Sequence, residues 1–181
     1  MQLASERLVM RPIALQDRDA LFRIYGDPAT NTFNPVGPLT SLAETKQLLD
    51  HWIAHWQQHG FGNMALSLRS APQEIIGFGG LGVREFAGKP VNNLGYRLAV
   101  HAWGQGLATE FARTMVRYGF EECGLPVIDA AVRENHLASQ RVLEKAGLSV
   151  NGHVYDVADA PASLTFQMTL AQWRAAQGTP Q

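Results

Sequence analysis

The chain has 181 residues, 46% of them hydrophobic and 17% charged, with a formal net charge of -1 and one cysteine, Cys123. That length suits one domain with a substantial core. The charge balance supplies no general field to collect nucleic acid or anionic lipid, and a lone cysteine excludes an internal disulfide. The opening MQLASERLVMRPI carries Glu6, Arg7 and Arg11 without a long apolar run, so it reads as neither signal peptide nor anchor. No run of eighteen apolar residues follows. The expectation is a cytoplasmic protein with no membrane and no nucleic-acid partner, one domain over 1–175, and a flexible tail over 176–181.

Arg7 to Ile13 reads as a first strand, with Leu8 and Met10 on one side and Val9 and Arg11 on the other. Gln16 to Tyr25 reads as a short helix ended by Asp27-Pro28. A turn-rich loop, NTFNPVGPLTS, precedes a capping box at Ser41-Leu42-Ala43-Glu44. In that box the serine accepts the third backbone NH and the glutamate returns to the cap NH. The helix it starts runs to about Gln58, with Leu48, Leu49, Trp52, Ile53 and Trp56 as its apolar face, and Gly60 stops it.

Phe61–Leu68 and Glu74–Leu81 form a hairpin around Ser70-Ala71-Pro72, and Glu85–Pro90 reads as a second loop. Asn92–Val100 is a strand, Leu107 to about Glu122 a long helix, Pro126–Val132 a strand, and Ala138–Ala146 a helix closed by Gly147. Leu148–Val154 and Leu164–Leu170 are the last strands. An antiparallel meander followed by crossover units implies an α/β fold with a mixed sheet and helices on both faces. A Rossmann domain would carry a glycine-rich turn after its first strand, and this first strand lacks one.

The segment most suited to chemistry is Tyr96-Arg97-Leu98-Ala99-Val100-His101-Ala102-Trp103-Gly104-Gln105-Gly106-Leu107-Ala108-Thr109-Glu110. A strand runs into Gly-Gln-Gly and then into a helix. Glycines permit a tight turn and close approach of a ligand. The first helical turn leaves NH groups unpaired, and with the helix dipole these favour phosphate or pyrophosphate. By pattern alone the same glycines serve equally as a tight strand-to-helix turn. No Gly-Lys-Ser/Thr follows, which argues against a P-loop. Trp103 reads as a packed wedge at the turn.

A second segment runs from Asn135 to Leu148. Asn135 sits just past a strand end and Ser139 in the next helix's first turn; both are ligand contacts or simply caps. Arg141 and Lys145 share a helix face and meet phosphate or solvent.

These segments resemble the GCN5-related N-acetyltransferase (GNAT) superfamily, in particular the branch with ribosomal-protein N-terminal acetyltransferases. The family's acyl-coenzyme A motif, Arg/Gln-x-x-Gly-x-Gly/Ala, reads here His101-x-x-Gly104-x-Gly106. Asn-x-x-x-Ser-x-x-Val-Leu-x-Lys-x-Gly is present from Asn135 to Gly147. The string Ile76-Gly77-Phe78-Gly79-Gly80-Leu81 and the opening Glu6-Arg7-Leu8-Val9-Met10-Arg11-Pro12 are also similar. The resemblance spans residues 5 to 174, in family order.

It implies an acyl-CoA N-acyltransferase fold: a mostly antiparallel central sheet with a splayed parallel strand pair, Asn92–Val100 and Pro126–Val132. It further implies acetyl-coenzyme A as donor, coenzyme A as product, no metal, and an amine-bearing small molecule or protein N-terminus as acceptor. Leu98, Ala99 and Val100 would meet pantetheine; Gln105, Gly106, Leu107, Ala108 and Thr109 the pyrophosphate; Asn135, Ser139 and Arg141 other parts of the cofactor. His101 departs from the usual Arg or Gln and removes a fixed charge.

The implied reaction is direct attack of an amine on the thioester, without a covalent enzyme intermediate. Ser139 would contact or protonate the thiolate. Asn93 stands where many relatives carry a glutamate base, and an amide nitrogen cannot serve as a base. Glu85 and Tyr155 are the candidate catalytic groups in its place, with His153 also within consideration. Phe33, Asn34, Trp52 and Asn93 are the candidate acceptor contacts, although Trp52 fits the apolar helix face as well. His51, His55 and His59 recur at helical spacing with no carboxylate set, and read as a solvated face rather than a metal site. Cys123 reads as structural. An acyl-CoA-binding regulator of the same fold is the alternative function, and a homodimer fits either.

Overall fold

A computed structural model describes residues 1–178. The strands are β1 (Leu3–Ala4), β2 (Leu8–Pro12), β3 (Asn63–Leu68), β4 (Ala71–Phe86), β5 (Lys89–Leu98), β6 (Val127–Arg133), β7 (Ser149–Val154) and β8 (Ser163–Thr169). The helices are α1 (Arg18–Tyr25), α2 (Leu42–His59), α3 (Leu107–Glu121), α4 (Leu137–Lys145) and α5 (Leu170–Gln177). Strand order is β1-β2-β3-β4-β5-β6-β8-β7. β1 with β2, β2 with β3, β3 with β4, β6 with β8 and β7 with β8 pair antiparallel, whereas β5 and β6 run parallel and meet at Asn93 and Asp129. This is the expected mixed α/β architecture, a mostly antiparallel central sheet flanked by helices.

The chain divides into two compact units: Met1–Gly82 with Gly95–Phe111, and Val83–Leu94 with the chain from Ala112 onward. In the first, alternation decides which side of β2 is buried. Leu8 and Met10 are fully buried, while Val9 and Arg11 are not. Ile13, Leu21, Ile24, Leu49, Ala65 and Phe78 make its core, with Tyr25, Trp52 and Trp56 packed against them. The rings of Tyr25, Trp52 and Phe78 meet edge-on or tilted, with centroids 5.5 to 6.1 Å apart.

In the second unit, Ile128, Ala130 and Val132 of β6 and Phe166 and Met168 of β8 are buried, as are Met115 and Val116 of α3 and Leu143 of α4. The alternate residues of β6 and β8 put Asp129 and Gln167 on the opposite face.

Several local readings change. Ala71 and Pro72 belong to β4, so the chain turns at Arg69 and Ser70 instead of over Ser70-Ala71-Pro72. Glu85–Pro90 is the tip of a hairpin rather than a loop: β4 continues to Phe86, β5 begins at Lys89, and Ala87 and Gly88 turn with φ of 52° and 81°. Pro90 therefore lies inside a strand, as its second residue. The Glu44 carboxylate does not return to the Ser41 amide. It takes the Thr40 amide at 3.0 Å and hydroxyl at 2.9 Å, while Ser41 Oγ accepts the Glu44 amide at 3.1 Å. Thr169 ends β8 and opens α5, a helix absent from the sequence reading, so Ala176 and Gln177 of the expected tail are helical. The rest of that tail, 179–181, lies outside the described residues. Finally, neither Asn135 nor Ser139 caps α4; His136 occupies that position.

Candidate functional site

The first unit carries the Gly104–Gly106 turn. Strand β5 ends at Leu98, and the Ala99 amide donates to the Ile76 carbonyl at 2.8 Å. A single 3-10 turn, Val100–Ala102, follows. Leu98 and Ala99 are buried, and Val100 is exposed. Trp103 is half-exposed and donates its indole NH to the Leu98 carbonyl at 3.0 Å, which pins the wedge to the strand end.

Gly104 and Gly106 adopt φ of 74° and 78°, where a side chain is strained. The first bond of α3 runs from the Glu110 amide to the Gly106 carbonyl at 3.1 Å. The amides of Leu107, Ala108 and Thr109 thus lie ahead of the helical ladder. Two left-handed glycines delivering a chain into a helix whose first amides precede the ladder suit an anionic group.

A brace that sequence reading missed holds this turn. The Glu110 carboxylate accepts Ser5 Oγ at 2.5 Å, the Arg7 amide at 2.8 Å and Arg7 Nε at 2.8 Å. Arg7 Nη1 donates to the Gln105 carbonyl at 2.8 Å. Burial works against the charge on Glu110, but the Ser5 hydroxyl and the Arg7 donors outweigh it and hold the carboxyl below its usual range. A side chain at Gly106 would approach Arg7 Nη2 at 3.5 Å. Arg7 therefore brings a guanidinium to a motif whose first residue, His101, is instead engaged with Glu74 at 3.2 Å.

Three of the candidate acceptor contacts lie in the same unit. Asn34 is committed to its own loop: Nδ2 donates to Asn31 Oδ1 at 2.9 Å and to the Gly37 carbonyl at 3.0 Å. Asn31 Oδ1 also accepts Arg97 Nη1 at 2.9 Å, and the Arg97 guanidinium lies 4.2 Å from the Tyr25 ring centre. Phe33 is at the edge of exposure, and Trp52 is half-buried, packed against the core.

The second unit holds the other candidates. Glu85 is an exposed strand residue, and Tyr155 is 81% exposed. Asn135 and Arg141 are exposed and Ser139 half-buried. His153 faces Glu134 at 3.0 Å. Asn93 is different: its Oδ1 is buried and accepts no hydrogen bond, a state that costs about 1–3 kcal/mol. Its register partner is Asp129, itself buried, whose Oδ1 accepts Gln167 Nε2 at 3.1 Å. Burial pushes the Asp129 carboxyl up, against the Gln167 amide, which favours the charged form.

Cys123 is half-buried beside Tyr118, and burial raises both groups, Tyr118 well above its usual range with help from the Cys123 hydrogen bond. His55 is less solvated than its spacing suggested: Nδ1 lies 2.9 Å from the Phe61 carbonyl and its ring meets Phe61 at 5.7 Å. Among the described residues, no group of three or more His, Cys, Asp or Glu is placed to hold a metal ion, and no helix is long and apolar enough to cross a membrane.

Residues 7–149 match the family model described as the acetyltransferase (GNAT) domain. The chain belongs to the GNAT acetyltransferase family. The uncharacterized N-acetyltransferase p20 of Bacillus licheniformis is 25% identical over 162 residues, covering 90% of each chain. Among solved structures, RimJ of Mycobacterium smegmatis, in complex with CoA-disulfide, superposes with a TM-score of 0.73 at 21% identity over 94% of this chain and 89% of that one. The aminoglycoside acetyltransferase AAC(6')-Ib, in complex with coenzyme A, gives 0.75 at 17% identity over 94% and 99%. The family rests on the model match over residues 7–149; the two solved structures superpose about equally, so the ribosomal-protein branch is not singled out.

Proposed function

We propose that this GNAT protein transfers an acetyl group from acetyl-coenzyme A to an amine by direct attack in a ternary complex. The observation that carries the reading is the Gly104-Gln105-Gly106 turn opening into α3, with its amides ahead of the helical ladder and Arg7–Glu110 bracing it. In this reading Gln105 to Thr109 hold the pyrophosphate through backbone NH groups. Leu98, Ala99 and Val100 present strand-end backbone to pantetheine, and Asn135, Ser139 and Arg141 serve the same cofactor. The acceptor is an amine-bearing small molecule or a protein N-terminus. The aminoglycoside acetyltransferase is a precedent for a small-molecule acceptor within the fold.

The test combines calorimetric binding of acetyl-coenzyme A with a thiol-release screen over a peptide, an amino sugar and a polyamine. The expected result is saturable binding and release above hydrolysis with at least one amine. Gly106→Val, which forces a β-branched residue into φ near 78°, is expected to weaken binding at least about tenfold while the protein stays folded. No binding at millimolar acetyl-coenzyme A sinks the proposal. Binding without transfer to any amine points instead to a regulatory acyl-CoA binder, the reading that Asn93 favours by replacing the usual acid.

A further inference from the structure

The second unit contains a row of polar side chains crossing four strands. Asn93 of β5 pairs with Asp129 of β6, Asp129 with Gln167 of β8, and Gln167 with Ser149 of β7. Register partners present their side chains on the same face of a sheet. Gln167 occupies one oxygen of Asp129, Oδ1, leaving Oδ2 for another donor. Next to it, Asn93 Oδ1 is a buried acceptor with no donor. Two adjacent acceptors, one anionic, are what a donor-rich cationic group would satisfy, and a primary ammonium carries three N–H bonds. Among the described residues Asp129 forms no ion pair; its hydrogen-bond partner is the neutral Gln167.

We infer that Asp129 is the proton acceptor for the attacking amine, and that Asn93 Oδ1 positions this amine by accepting a second N–H. This rests on the acetyltransferase reading above and assigns the base that the reading left open. The ammonium gives one proton to Asp129 Oδ2 and becomes the neutral amine. Its lone pair forms the C–N bond to the thioester carbonyl carbon, and the C–S bond breaks with its electron pair going to sulfur. The nitrogen sheds its second proton, which ends on the thiolate; the proton on Asp129 passes to water. The products are the amide, coenzyme A and one proton. Burial of the carboxyl, which raises it, makes it a better match to an ammonium proton than an exposed carboxylate. The side chains placed around it by register, Asn93 from β5 and Gln167 from β8, do not titrate, and no charged group contributes to its shift.

Asp129→Asn keeps the shape and can still accept from Gln167. The test measures wild type and this variant with the best amine of the screen, and with hydroxylamine, which is already neutral at pH 7. The expected loss in kcat/KM for the protonated amine is about 100-fold or more, and for hydroxylamine less than about tenfold. The rise of wild-type kcat/KM with pH through the Asp129 titration should flatten in the variant, and acetyl-coenzyme A affinity should stay within about twofold. Adding Asn93→Glu to Asp129→Asn, which puts a carboxylate at the neighbouring register position, should restore about tenfold or more. Equal losses for both amines, or a matching loss of acetyl-coenzyme A affinity, make Asp129 structural and overturn the inference. Transfer unaffected by Asp129→Asn overturns it while leaving the acetyltransferase reading intact; no transfer by wild type to any amine overturns that reading and the inference together.

Discussion

Glu110 shows how one side chain ties sequence-distant pieces to the Gly104–Gly106 turn. Its partners Ser5 and Arg7 lie 105 and 103 residues away in the chain. Its side chain is 15% exposed while that of Arg7 is 44% exposed, so solvent screens the ion pair and the hydrogen bonds carry most of the effect. Glu110→Gln should destabilise by about 1–2 kcal/mol at pH 7, measured by thermal or urea unfolding. The pH dependence has a definite sign. The folded-state pKa lies below the unfolded one, so the contribution is complete above the unfolded value, about 4.3, and disappears as pH falls through the folded value. The wild-type advantage over Glu110→Gln should therefore shrink steadily in acid; a constant difference across that window would show that the brace is not electrostatic. Asn93 teaches a related lesson. Its identity was visible as a departure from the family's acid, but its orphaned oxygen and its neighbour Asp129 follow only from strand pairing.

At the scale of elements, local chemistry explains most boundaries. Ser41 caps α2 through the Glu44 amide, and Gly60 ends it in the left-handed conformation with φ of 75°. Ser41→Ala should lower stability by about 1 kcal/mol without altering acetyl-coenzyme A affinity. The strand pair β3–β4 depends on a closer fit. A Cβ on Gly80 would lie 2.2 Å from the Gly62 carbonyl oxygen, a rigid backbone atom. Gly80→Ala should therefore cost upwards of about 2 kcal/mol, seen as a lowered urea midpoint. Helix α5 carries its own local signal. Thr169 and Gln172 make a reciprocal capping box, with the Gln172 amide donating to Thr169 Oγ1 at 3.1 Å and the Thr169 amide to Gln172 Oε1 at 2.8 Å. The apolar run before it drew the strand reading one residue too far.

For the whole molecule, membership of the GNAT family makes one thermodynamic expectation concrete. A ligand that binds only the folded protein stabilises it by mass action. Acetyl-coenzyme A at a hundredfold over its Kd should add about 2.7 kcal/mol, read as a concentration-dependent rise in Tm. Gly106→Val should abolish most of that rise; a variant that keeps the full shift would remove the Gly104–Gly106 turn from the binding site.

Much of the order of elements, and the glycine turn, could be read from the sequence because their causes are local. Hydrophobic alternation chose the buried side of β2, a capping serine opened α2, and two glycines marked a backbone that must enter left-handed space before α3. The hairpin tip at Ala87-Gly88 escaped because Pro90 is a weak strand former whose place the neighbouring strand decides. The brace of Arg7 on Glu110 and the row from Asn93 through Asp129 to Gln167 belong to tertiary structure alone. No periodicity links residues so far apart: the partners of a charged or buried polar group are set by which strands pair and in what register, and that is settled only when the chain folds.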